Sequence, residues 1–231
     1  KPYDPKNGGV SANTADVLVP AFLAAYTGRD ANTIGLNPFM NFLHILPNWS
    51  VTFDGLGKLP WIRDHFKSVN LTHAYTCKYA IGSYSSYSTW MPINGDLSNK
   101  QIGFVRDVTT DNPIPSSAYD IASVTLTESF SPLIGLNMTM KNSLSAKFEY
   151  RKQRNVSLNV NSVQMTEGHT DEFVIGAGYT IKDLNFITKT RNGGQKKVSN
   201  DLKLNVDVSY RDVKTLLRKV EEGLTQASSG N

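Results

Sequence analysis

The chain has 231 residues, of which 39% are hydrophobic and 19% charged, both below the usual values for globular domains, with a net charge of +4. That balance suits one or two domains built of β-sheet and loop, and a charge this small and dispersed gives no argument for a nucleic-acid partner, so none is expected. One cysteine, Cys77, rules out an intrachain disulfide and a thiolate metal cluster.

The opening "KPYDPKNGGVSANT" reads as a loop, and so does the closing "GLTQASSGN"; both ends are expected to be cuts through connections of something larger. Residues 1–45 are assigned to loop and a short helical segment, lumenal or at a barrel edge. The helix is placed over Thr14 to Asp30, "TADVLVPAFLAAYTGRD", with Pro20 in its first turn and Gly28 closing it. It is too short to cross a bilayer and is expected to pack on something else.

From residue 46 to 212 the dominant pattern is alternation. Trp49, Val51 and Phe53 alternate with Ser50, Thr52 and Asp54. Val69, Leu71, Tyr75, Cys77, Tyr79 and Ile81 share one parity against Asn70, Thr72, Thr76 and Lys78. Gln101 to Thr109 is a weaker strand candidate. Val124, Leu126 and Phe130 oppose Thr125, Thr127 and Ser129. Leu133 to Val163 alternates throughout, with Asn142-Ser143 as a tight turn that splits it into two strands, the second running from Leu144 to about Val163. Phe173, Ile175, Ala177, Tyr179 and Ile181 form a further face, and Leu202, Leu204, Val206, Val208 and Tyr210 another. Turn chemistry at 83–96, 131–132, 166–171 and 191–200 marks the expected connections. Residues 213–231 read as polar loop or helix, Val213 to Leu224 also fitting a strand that continues into a loop.

Period two puts each apolar set on one face of its strand. A soluble sandwich alternates too, but ordinary strands average roughly five or six residues. A strand of about 17 residues, tilted by about 45°, would rise some 40 Å, enough to cross a bilayer and project beyond it. The expected fold is therefore all-β, with long antiparallel strands forming part of a large transmembrane β-barrel and a short helix near the N-terminus. Roughly seven strands, against the even number of eight or more in single-chain bacterial barrels, make the chain a part of that barrel and not the whole.

On this reading the lipid-facing candidates are Val51, Phe53, Leu71, Tyr75, Leu136, Met138, Phe148, Leu158, Ile175, Tyr179, Leu204, Val206 and Val208. The lumen-facing candidates are Asn137, Thr139, Lys147, Glu149, Asn159, Lys203, Asn205 and Asp207. No catalytic constellation is visible: His44, His65, His73 and His169 lack metal-ligand spacing, so no enzyme, cofactor or metal is expected. The alternatives are a secreted β-sandwich binding or adhesion module and a smaller porin-like transporter.

"DVLVPAFLAAYTGRD" (16–30), "LPNWSVTFDGLGKLPWIRDHFKSVNLTHAYTCKYAIGSY" (46–84), "SFSPLIGLNMTMKNSLSAKFEYRKQRNVSLNV" (129–160) and "DEFVIGAGYTIKD" (171–183) resemble the C-terminal part of the SprA/Sov proteins. Those are outer-membrane translocons of type IX secretion, tied to gliding motility. The resemblance implies a place in the outer membrane of a Gram-negative bacterium, in a very wide barrel that exports folded cargo bearing a C-terminal signal. It implies as partners the rest of the translocon barrel, a PorV-type shuttle barrel, a plug protein, the cargo and outer-membrane lipid.

Overall fold

The computed structural model describes residues 13–30, 47–93, 103–189, 195–221 and 224–230. His44, the first two residues of the Gln101–Thr109 strand candidate and most of the 1–45 segment lie outside them.

Helix α1 spans Ala15–Thr27 and is closed by Gly28 in the left-handed conformation (φ 66°), the conformation glycine adopts without a Cβ clash. Pro20 sits in the interior of α1, not in its first turn. Strand β1 (Trp49–Phe53) is followed by a turn of 3-10 helix and the short helix α2 (Pro60–His65), which feeds β2 (Phe66–Ser86). Next comes a small excursion of three short antiparallel strands, β3 (Met91–Pro92), β4 (Gly103–Arg106) and β5 (Pro113–Ser116). Four long strands complete the main sheet, β6 (Tyr119–Met140), β7 (Leu144–Asn159), β8 (Gln164–Lys189) and β9 (Gln195–Glu221), with β10 (Leu224–Gly230) beside the last. The sheet order is β1-β2-β6-β7-β8-β9-β10, antiparallel throughout. The fold is thus mostly antiparallel sheet with one short N-terminal helix, and the sheet is open.

Two expected breaks are not breaks, and the second of two expected readings holds after Tyr210. Ser131-Pro132 lies inside β6, where the β6–β7 register slips between Phe130 and Ile134. A proline has no N–H for the ladder, and the sheet absorbs it as a bulge. "TEGHTD" at 166–171 lies inside β8. Its turn-forming residues are held in the ladder by direct partners on β7, from Thr166 opposite Ser157 to Asp171 opposite Lys152. Val213 to Glu221 continues β9 as strand, not helix. Leu216, Leu217 and Val220 satisfy a helical spacing, but Arg211 and Arg218 find their carboxylates across the strand, on Glu172 and Glu167.

Tight turns occur where the chain does reverse. Ser143 takes a positive φ after Met140, and Asn142 Oδ1 accepts the Leu144 N–H at 3.2 Å. The upper turn, after Asn159, falls a few residues earlier than expected. Val163 takes a positive φ there, and its N–H donates to the Val160 carbonyl at 3.1 Å.

The core lies against one half of the sheet. Leu18, Val19, Phe22 and Leu23 of α1 pack on Cys77, Ile121, Val124, Leu126, Val156 and Leu158. Asp16 anchors the start of the helix, its Oδ2 accepting the Ser117 N–H at 3.2 Å. Burial pushes that carboxyl up from its ordinary pKa, against the pull of the Ser117 hydrogen bonds.

Candidate functional site

Residues directly opposite one another across a ladder point to the same side of a sheet, so the register sorts every strand residue onto one of two faces. Phe53, Leu71, Leu136, Phe148 and Ile175 are consecutive partners, and Val208 continues the row. The same bookkeeping places Val51, Met138, Tyr179, Leu204 and Val206 on this side, here called the front face. Asn137, Thr139, Lys147, Glu149, Lys203, Asn205 and Asp207 fall on the back face.

Which face is packed reverses the usual order of a water-soluble sheet. Along β8, Phe173, Ile175, Ala177 and Tyr179 are exposed, while Glu172, Val174, Gly176 and Gly178 between them are buried. Ile175 is 61% exposed and Val206 and Val208 each 69%, whereas Glu172 is 9% exposed. The back face is crowded because its neighbours reach across the glycines. A Cβ on Gly176 would overlap the Asp207 carboxylate, and one on Gly178 would overlap the Asn205 carboxamide and the Ser145 hydroxyl. Asn137, Thr139, Lys147, Asn205 and Asp207 there line a shallow groove of about 340 Å³.

The open apolar band has two charged borders. On β8 and β9 it runs from Phe173 to Ile181 and from Leu202 to Tyr210, paired row by row. Below it, the Asp183 N–H donates to Asp201 Oδ1 at 3.1 Å. Above it, Asp171 faces Lys152 and Asp212, and in the next row Glu128, Arg154, His169 and Lys214 stand side by side on four strands. Aromatic residues mark the upper border. Tyr150 stacks on Phe173 at 4.5 Å, and Trp49, Tyr75 and Phe130 form a stack with centroid separations of 4.3 and 4.8 Å. Nine residues of β8, Phe173 to Ile181, lie between the charged borders.

Two lipid-facing candidates and one lumen-facing candidate belong elsewhere. Tyr75 and Leu158 lie on the front face but above the border, where the aromatic stack and α1 leave them 1% and 3% exposed. The Tyr75 hydroxyl donates to Glu128 Oε1 at 2.8 Å. Asn159 ends β7, and its side chain accepts the Ser162 N–H at 3.1 Å in the upper turn. Parity alone could not have revealed this, because a strand's parity is the same under a helix as under open surroundings.

Ion pairs stitch both faces. On the back face Arg151, Glu172 and Arg211 are direct partners on β7, β8 and β9; Glu172 lies 3.2 Å from Arg151 and 2.8 Å from Arg211. Glu149 adds contacts to Arg151 and to Lys147. On the front face Glu167 gathers Arg154 (2.8 Å), His169 (3.1 Å) and Arg218 (3.4 Å).

Two of the described histidines hold backbone carbonyls. His73 Nδ1 donates to the Leu133 carbonyl at 2.7 Å and His65 Nδ1 to the Trp61 carbonyl at 3.1 Å. No cluster of metal-binding side chains is present among the described residues. At the sheet end of α1, Tyr26 Oη lies 3.7 Å from Cys77 Sγ. Burial, with Glu128 beside it, drives the Tyr26 phenol upward in pKa, so the group stays a neutral hydroxyl. No helix of the described residues is long and apolar enough to cross a membrane, a statement that does not bear on strands. In comparison with known proteins, no family model and no curated protein matches the chain.

Proposed function

We propose that this sheet is a wall segment of an outer-membrane β-barrel, its front face toward lipid and its back face toward a wet lumen. The observation that carries the reading is the packing along β8, where Phe173, Ile175 and Tyr179 are open while Glu172, Val174, Gly176 and Gly178 between them are buried. In water an open band containing Ile175, Tyr179, Leu204, Val206 and Val208 would be a liability for aggregation. In a bilayer it is the ordinary outer surface of a barrel. The strand edges support the same reading. Among the described residues lower β9 pairs with β8 on one side only, and backbone groups cannot be left unpaired in hydrocarbon, so on this reading that edge meets other strands of the barrel.

The resemblance to SprA/Sov proteins extends the proposal to function: the wall belongs to a translocon that exports folded proteins across the outer membrane, in the system linked to gliding motility. A back face of glycine, serine, asparagine and mutually paired charges suits passage of bulky cargo, because it offers little to adhere to. The other barrel strands, a PorV-type shuttle barrel, a plug protein and signal-bearing cargo are the partners this reading requires.

The test compares neighbours on opposite faces. Leu204→Arg should cost roughly 2–4 kcal/mol of stability in vesicles, the price of a charge near the bilayer midplane, whereas Asn205→Ser should be nearly silent. Both are exposed side chains, so in a water-soluble sandwich both would fall within about 0.5 kcal/mol of wild type. Equal tolerance in urea titrations of the vesicle-inserted protein would overturn the wall assignment. The translocon is tested by blotting washed outer membranes with an antibody to residues 191–200. A membrane-retained band far larger than 231 residues is expected, and a soluble band of this chain's size would refute it.

A further inference from the structure

The charged belt above the apolar band is not uniform. Between β6, β7 and β8 it contains a recess of about 330 Å³ lined by Glu128, Phe130, Lys152, Arg154, Glu167 and His169. Its volume is at the small end for ligand sites. Glu167 is buried and holds Arg154 through Nε at 2.9 Å and through a terminal nitrogen at 2.8 Å. Arg218 and His169 crowd the same carboxylate, so one anion orders three basic side chains around it. Lys152 is exposed and makes no ion pair among the described residues, although Arg154 two residues on is fully engaged. The two other carboxylates of this zone are each held by a phenol: Glu128 by Tyr75 at 2.8 Å and Asp171 by Tyr150 at 2.7 Å.

Position makes this chemistry specific. The recess opens on the front face, directly above the Tyr150–Phe173 stack and the apolar rows below it. On the other side it is bounded by the region that α1 covers. A ligand seated there presents polar groups to Lys152 while any apolar tail descends over Phe173 and Ile175. Mixed charge in the recess suits a ligand that itself carries both signs.

We propose that the recess binds the headgroup of a zwitterionic phospholipid of the phosphoethanolamine type. Lys152 is the principal donor to its phosphate, Arg154 and His169 flank it, and Glu128 and Asp171 face its ammonium. The inference rests on the reading of the front face as lipid-facing.

The experiment is native mass spectrometry of the full chain taken from detergent and offered defined lipids. Phosphatidylethanolamine should be retained over diacylglycerol, which lacks the headgroup, and over phosphatidylglycerol, which lacks the ammonium. Lys152→Ala should reduce retention about tenfold, as loss of one charge-assisted hydrogen bond would. Lys152→Arg should keep most of it, and Lys219→Ala on the back face should leave it unchanged. Diacylglycerol or phosphatidylglycerol held equally well would overturn the proposal, and so would inorganic phosphate displacing the lipid at equal concentration. A chain that inserts in vesicles yet shows no headgroup preference refutes this inference alone. A chain that stays monomeric in water without detergent refutes the lipid-facing reading beneath it.

Discussion

Leu23 is the deepest side chain of α1, 1% exposed, and with Leu18, Val19 and Phe22 it closes the upper half of the front face over Cys77, Val124, Leu126 and Leu158. Leu23→Ala deletes three carbons from that contact and should cost about 2–5 kcal/mol, as truncation of a buried leucine does. Most of the loss falls on docking of α1, because the β-ladders beneath are held by their own hydrogen bonds. The chain carries its own reporter. Cys77 is the only cysteine, buried under α1 with Tyr26 Oη 3.7 Å from its sulfur. If the thiol reacts only when α1 lifts, a loss of about 3 kcal/mol raises its maleimide labelling rate by roughly a hundredfold, at a factor of ten per 1.4 kcal/mol. Tyr26→Phe, which leaves the apolar packing of α1 intact, should change the rate far less. Leu204→Ala, on the open band, should not change it at all. Labelling of Leu23→Ala at the wild-type rate would refute the argument that α1 is the lid over Cys77.

Two further outcomes test the back face. Gly176→Val should destabilise the sheet by about 1–3 kcal/mol through overpacking against Asp207. Asp207→Ala in the same chain should recover much of that loss in urea titration, and failure to recover it would mean the two do not collide. Glu172→Gln should cost about 1–3 kcal/mol, because Arg151 and Arg211 lose their shared carboxylate. Arg211→Ala, at the more exposed end of the triad, should cost about 1 kcal/mol or less; a double-mutant cycle with no coupling between Glu172 and Arg211 would remove the triad from the account.

The alternation was legible because the side-chain period of a strand is a local property. Leu136, Phe148, Ile175 and Leu204 could be assigned to one side from the residues alone, and the register puts all four on the same face. The lengths of the strands were less legible. Polar and turn-forming residues at 131–132 and 166–171 look like ends when each strand is read alone. Residues 166–171 are interior because partners on β7 pair with them, and 131–132 because the ladder resumes on both sides of a bulge; no single strand encodes its partner. The same reason explains Val213 to Glu221, where leucines fit a helix and arginines decide for a strand by reaching carboxylates on β8.

What the sequence by itself determined is an all-β chain with one greasy and one wet side per strand, and an N-terminal helix closed at Gly28. Tertiary structure decided what each side meets. It placed α1 over Leu158 and Tyr75 but left Val206 and Val208 open, though all four belong to apolar parities of their strands. It also gathered Arg154, His169 and Arg218 around Glu167 from positions 13, 2 and 51 residues away. Period-two patterning fixes direction, whereas burial depends on which distant segment arrives, and that is settled only when the strands pair and the helix docks.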